Sequence, residues 1–144
     1  MIRLSLMLLL ILSALSFSAI AETERDLVIV TGKNSEITSL TVKELRRMYL
    51  GLNVVVNDES VTPIRNYSND VLHEMFLQKI MFMSSRTYQR QLNLRTIKKG
   101  LKPPTEVTTH KAIVDALTAD KNSIAYMWHS QARSNPDIRI LTTH

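Results

Sequence analysis

The 144-residue chain contains no cysteine, so disulfides and thiolate-based metal sites are excluded, and the fold must be held by burial and hydrogen bonds. Only three glycines are present. That is too few for a phosphate-cradling Walker loop or a glycine-rich dinucleotide turn, and no G-x-S-x-G nucleophile elbow occurs. The four histidines, His73, His110, His129 and His144, are scattered, with no pair four residues apart and no carboxylate at a metal-site spacing. Ser68 and Ser130 have no general base at a recognisable distance. The enzyme reading therefore has no positive feature, and no cofactor is implied.

What is present begins at the N-terminus. Arg3 precedes an apolar run, Leu4 to Leu12, and small residues then lead to Ala19-Ile20-Ala21. A charged start, an apolar middle and a small-residue site describe a cleavable secretory signal over residues 1–21, cut before Glu22. An uncleaved anchor is the alternative, but the run falls short of the roughly 20 residues that cross a bilayer. The remaining 22–144 has the size of one domain with room for a core. Removing Arg3 lowers the formal charge from +5 to +4, a mild excess. Export to the periplasm makes nucleic acid an unsuitable partner, and a monomer is expected.

Leu27-Val28-Ile29-Val30, closed by Thr31-Gly32, reads as a strand covered on both faces. Thr41-Val42-Lys43-Glu44 has the spacing of a capping box. The helix it opens would carry an apolar stripe of Val42, Leu45, Met48 and Tyr49 and end at Gly51. Val54 to Val56 and Val61 to Ile64 flank Asn57-Asp58-Glu59-Ser60, which suits a hairpin or an extended loop. Asp70 would cap a second helix through Leu72, Met75, Phe76 and Ile80. Ser84 or Ser85 would start a third, through Tyr88, Leu92 and Ile97 to Gly100, where Pro103-Pro104 forbids continuation. Thr108 or Thr109 would cap a fourth, with Ile113, Val114 and Leu117, before strands at Ser123 to Met127 and Ile138 to Leu141. This order predicts one α/β domain in two or three layers, a mixed sheet flanked by about four helices.

Two surfaces are candidates for function. Polar helix entrances at Thr31-Gly32-Lys33-Asn34-Ser35, Ser68-Asn69-Asp70 and Thr108-Thr109 would form an anion site if they share one rim of the sheet, since helix starts offer unpaired amides. Otherwise they are ordinary caps. Secondly, Arg86, Arg90, Arg95, Lys98, Lys99 and Lys102 follow one another without an acid. Such a run is commonly a solvated face; the functional alternative is contact with an acidic partner protein or anionic lipid.

Several stretches carry a resemblance: the exported N-terminus and V-I-V strand, L-T-V-K-E-L-R-R-M-Y-L-G at Leu40 to Gly51, P-I-R-N at Pro63, L-H-E-M-F at Leu72 to Phe76, and S-I-A-Y-M at Ser123. Together they resemble the phosphate ABC transporter substrate-binding proteins over about Asp26 to Leu141. The resemblance implies a periplasmic-binding-protein-like domain, phosphate or another small anion as ligand, and an inner-membrane transporter or sensor protein as partner. Thr31, Asn34, Ser68, Asn69, Asp70, Thr108 and Thr109 are the expected ligand-binding positions. There are two departures. The family's opening segment, with its own phosphate loop, has no counterpart, and the family's Gly-Ser falls on Asn69 and Asp70. A carboxylate there faces a like-charged ligand at a cost of about 1 to 4 kcal/mol at 4 Å, unless the phosphate keeps a proton to donate to it. The alternative function is an envelope interaction module that has lost its ligand and docks through the basic helix.

Overall fold

A computed structural model of the protein describes residues 25–144; the signal-peptide reading of residues 1–21 lies outside them. The main sheet has five strands in the order β6-β5-β7-β1-β8, formed by β1 (Leu27–Gly32), β5 (Thr62–Asn66), β6 (Thr105–Val107), β7 (Ser123–Trp128) and β8 (Ile138–Ile140). β5 runs parallel to both β6 and β7, while β1 is antiparallel to β7 and β8. The sheet is therefore mixed, as expected. Two small ribbons accompany it. β2 (Ser39–Leu40) pairs with β9 (Thr142–Thr143), and β3 (Val55–Val56) pairs with β4 (Glu59–Ser60) in a hairpin. Asn57 and Asp58 turn that hairpin with φ of 51° and 64°, a left-handed conformation that Asn and Asp tolerate and tight hairpins require.

Alternation along the central strands builds the layers. Ile29, Ile124 and Tyr126 face one core, with Leu45, Met48, Tyr49, Leu72, Phe76, Tyr88 and Leu92. Their neighbours Val30, Ala125 and Met127 face a second core, with Ile113, Leu117 and Ala132. Because successive side chains of a strand point to opposite faces, β1 and β7 are buried on both sides, and the domain has three layers. Helices α1 (Val42–Tyr49), α2 (Asp70–Phe76) and α3 (Ser85–Lys99) cover the first face; α4 (His110–Ala119) and α5 (His129–Ser134) cover the second. A π-helical turn, Leu77–Met81, extends α2 and ends at Phe82 with φ 53°.

The local readings hold in most places. Thr41 and Glu44 form the expected reciprocal capping box, and Gly51 (φ 86°) and Gly100 (φ 63°) sit in the left-handed region just past α1 and α3. The cap of α2 is Asn69, whose side chain accepts from Leu72 N at 2.9 Å. Asp70, expected in that role, is the first helical residue instead. Ser84 caps α3 and Thr109 caps α4. Ile97 departs from the expected buried stripe and is 82% exposed. It lies five residues beyond Leu92, and at about 100° per residue that places it about 140° around the helix. β6 and α5 were not anticipated from the sequence.

Candidate functional site

Strand direction decides which helix entrances meet. β5, β6 and β7 are mutually parallel, so Asn66, Val107 and Trp128 end at the same rim of the sheet. Tyr67 N donates to Val107 O at 2.8 Å, tying together the segments that lead into α2 and α4. Ser68, Asn69, Asp70, Thr108 and Thr109 therefore stand along one rim, where α5 also begins, at His129. Thr31 and Asn34 do not join them. β1 runs the other way, so its C-terminal end lies beside Thr62 and Ser123 at the opposite rim. There the Thr31 hydroxyl is buried and donates to Ser123 O at 2.9 Å. Asn34 lines a separate hollow of about 270 Å³ with Lys33, Leu117, Thr118, Lys121 and Asp137. The expected convergence of three entrances is thus a convergence of two, because a strand's own sequence does not encode its direction relative to its neighbours.

Beneath the shared rim lies a buried polar network centred on Asn66, which is fully buried. Its amide nitrogen Nδ2 donates to Tyr126 O at 2.8 Å, and its Oδ1 accepts from Ser68 N at 3.0 Å and Ser68 Oγ at 2.5 Å. The Ser68 hydroxyl is therefore directed inward, holding the entrance to α2 on the strand end. The Asn66 backbone N–H donates to the Tyr126 phenol at 3.0 Å. The same phenol lies 2.7 Å from His73 Nδ1. Which of the two donates follows from the imidazole tautomer. His73 Nε2 is buried and has no hydrogen-bond partner.

The electrostatics favour a neutral histidine. Burial, aided by the nearby Arg65 cation, pushes the His73 pKa below its ordinary value of 6.5, and the Asp70 and Glu106 carboxylates oppose the shift only partly. Burial raises the phenol of Tyr126 and, less strongly, that of Tyr67. Aromatic packing fixes the rings: Phe76 stacks on Tyr126 at 3.9 Å between centroids, and Tyr67 covers His73 at 4.3 Å. On the outer side, Arg65 is buried, donates through Nε to Pro104 O at 2.8 Å and pairs with Glu106 at 3.1 Å. These residues stand opposite one another in the β5–β6 register. Sequence reasoning missed Asn66, Arg65 and Tyr126. Their signal, polar residues within strands otherwise bound for burial, becomes readable only once the strands are paired.

The described residues contain no group of three or more His, Asp or Glu side chains able to hold a metal. Among them, no helix is long and apolar enough to cross a membrane.

No protein-family model matches the chain, and no curated protein does. Solved structures are similar to it in fold. PstS from Borrelia burgdorferi aligns over 82% of this chain with a TM-score of 0.57 and 16% identity. A protein from Clostridium perfringens, assigned as a phosphate ABC transporter substrate-binding protein and solved with phosphate bound, aligns over 81% with a TM-score of 0.56 and 14% identity. An ABC-type phosphate transport receptor from Vibrio cholerae aligns over 81% with a TM-score of 0.50 and 13% identity. The match covers 47%, 44% and 45% of those chains respectively, so this chain spans less than half of their length. The chain thus has a mixed α/β fold similar to that of periplasmic binding proteins.

Proposed function

We propose that the protein is a non-catalytic, periplasmic substrate-binding-like protein that takes phosphate or another small anion at the rim formed by Ser68, Asn69, Asp70, Thr108 and Thr109, in connection with ABC-type transport or sensing. The observation that carries this reading is the joint placement of the α2 and α4 entrances at the ends of two hydrogen-bonded parallel strands, in a fold similar to phosphate-binding proteins. Amides at helix starts favour anions. With the Ser68 hydroxyl committed to Asn66, backbone N–H groups and the exposed Thr108 and Thr109 remain to meet a ligand.

Asp70 sets the selectivity of such a site. Its carboxylate repels a fully ionised anion but accepts a hydrogen bond from one that keeps a proton, as phosphate does and sulfate does not. Calorimetric titration should therefore show phosphate binding in preference to sulfate. Asp70→Ser should narrow that preference by about tenfold, equivalent to the 1.4 kcal/mol expected of one removed repulsion. No heat with either anion at millimolar concentration would defeat the reading.

A second reading is docking through α3. One observation favours it: this helix carries the acid-free basic run together with the strongly exposed Ile97. In this reading Arg95, Lys98 and Lys99 contribute to the contact, and reversing them to Glu would abolish partner binding without unfolding the protein.

A further inference from the structure

The outer side of α3 is lined with features that the anion reading leaves unused. The helix is apolar on two opposed sides. Tyr88 and Leu92 enter the core, while Leu94 and Ile97 remain 37% and 82% exposed on the far side. A surface helix of an isolated domain normally shows one apolar stripe, and a second one marks a face that something covers. Leu94 and Ile97 lie along a shallow, open depression. With Arg86 and Arg90 they line an open groove of about 870 Å³ whose other wall includes Tyr67 and Glu106.

Charge identifies the occupant. From Met75 to Thr105 the chain has no acidic residue but seven basic ones: Lys79, Arg86, Arg90, Arg95, Lys98, Lys99 and Lys102. Among the described residues, neither Arg86 nor Arg90 makes an ion pair, whereas Glu106 across the groove is already neutralised by Arg65 at 3.1 Å. We propose that this groove is the docking site for an acidic, amphipathic helical segment of a partner protein. The inference sharpens the docking reading and rests on it, naming the groove as the place and the chemistry of the occupant.

The dimensions suit such a segment. Arg86 to Ile97 spans about 16 Å of helix at 1.5 Å per residue, or three turns of a helix lying alongside. Arg86 and Arg90 stand one turn apart and match two carboxylates at the same spacing, while Leu94 and Ile97 meet aliphatic side chains further along. A second copy packed two-fold on the same face would bring basic α3 against basic α3, and like charges oppose that arrangement.

The test uses the purified protein and three probes: a 15-residue helical peptide with turn-spaced glutamates beside leucines, the same peptide with glutamine replacing each glutamate, and vesicles of phosphatidylglycerol. The acidic peptide should shift the amide resonances of Tyr67, Gln89, Asn93 and Ile97, and the glutamine peptide should bind at least about tenfold more weakly. Arg86→Glu with Arg90→Glu, and separately Ile97→Ser, should each weaken the acidic peptide by about tenfold. Circular dichroism and phosphate titration of both variants should be unchanged, because all three residues are exposed and stand outside the anion rim. Equal binding by these variants, or binding of vesicles with no response to the peptide, would overturn the proposal. Self-association that buries Ile97 in sedimentation experiments would overturn it too. If Lys98→Glu with Lys99→Glu abolishes peptide binding while the groove variants retain it, the groove is refuted and docking through α3 alone stands.

Discussion

Asn66 is buried where an apolar side chain would cost nothing to desolvate, and its value lies in having both ends of its amide satisfied. Asn66→Ala would leave the Tyr126 carbonyl and the Ser68 amide without partners. An unsatisfied buried group costs about 1 to 3 kcal/mol, so this variant should lose about 3 kcal/mol in urea denaturation. His73 next to it gives a pH-dependent contribution. Its pKa is lowered in the folded state, so between that lowered value and the ordinary 6.5 the unfolded chain binds the extra proton. Stability is therefore complete above pH 6.5 and declines as the pH falls below it. One proton limits the slope to about 1.4 kcal/mol per pH unit. Denaturant midpoints measured from pH 8 downward should show this decline, and His73→Phe should flatten it. This was not legible in the sequence, where His73 was one of four scattered histidines and Asn66 only the last residue of the P-I-R-N stretch, given no role.

Among the elements, the helices were the readable part, because their starts and stops are written in local chemistry. The Thr41–Glu44 capping box illustrates this: Glu44 N donates to Thr41 Oγ1 at 3.1 Å and Thr41 N to Glu44 Oε2 at 2.8 Å. Thr41→Ala should cost about 1 kcal/mol, read as a shift in thermal midpoint. β6 could not be read in the same way. Thr105-Glu106-Val107 has little apolar character of its own and is a strand because β5 offers it a hydrogen-bonding edge. The candidate rim was half legible for a related reason. Polar runs announced the entrances at Ser68-Asn69-Asp70 and Thr108-Thr109, though with the first cap expected at Asp70 and not Asn69, while the reversal of β1 that removes Thr31 and Asn34 is a property of strand pairing. Gly32, at the end of β1, shows how closely the layers meet: a Cβ there would lie 2.4 Å from Leu117 O. Gly32→Ala must displace the α4 backbone, and it should destabilise the protein by more than about 2 kcal/mol in chemical denaturation.

At the scale of the molecule, order and periodicity predicted a mixed α/β domain in two or three layers, and burial of the central strands on both faces selects three. The continuous apolar runs at Leu27 to Val30 and Ile124 to Met127 signal strands covered on both faces, and both are buried between the two cores. The length relationship to the similar structures was legible only as a missing counterpart to the family's opening segment. The rim is open to solvent at Asn69, Asp70, Thr108 and Thr109. Anions bound there would keep much of their hydration, and their exchange should be fast on the NMR timescale.

The position of β1 also governs how the molecule can be assembled. The first strand is wedged between β7 and β8, so that Leu27 lies opposite Trp128 and Val30 opposite Ile140. During synthesis it must wait for nearly the whole chain to emerge before either flank is matched. Closure over such a span slows the search for the native state. Stopped-flow refolding should accordingly fall in the millisecond-to-second range rather than microseconds. A chain halted before Ser123 would hold an apolar ribbon with neither flanking strand, making it a ready target for chaperones and proteases until the final twenty or so residues arrive.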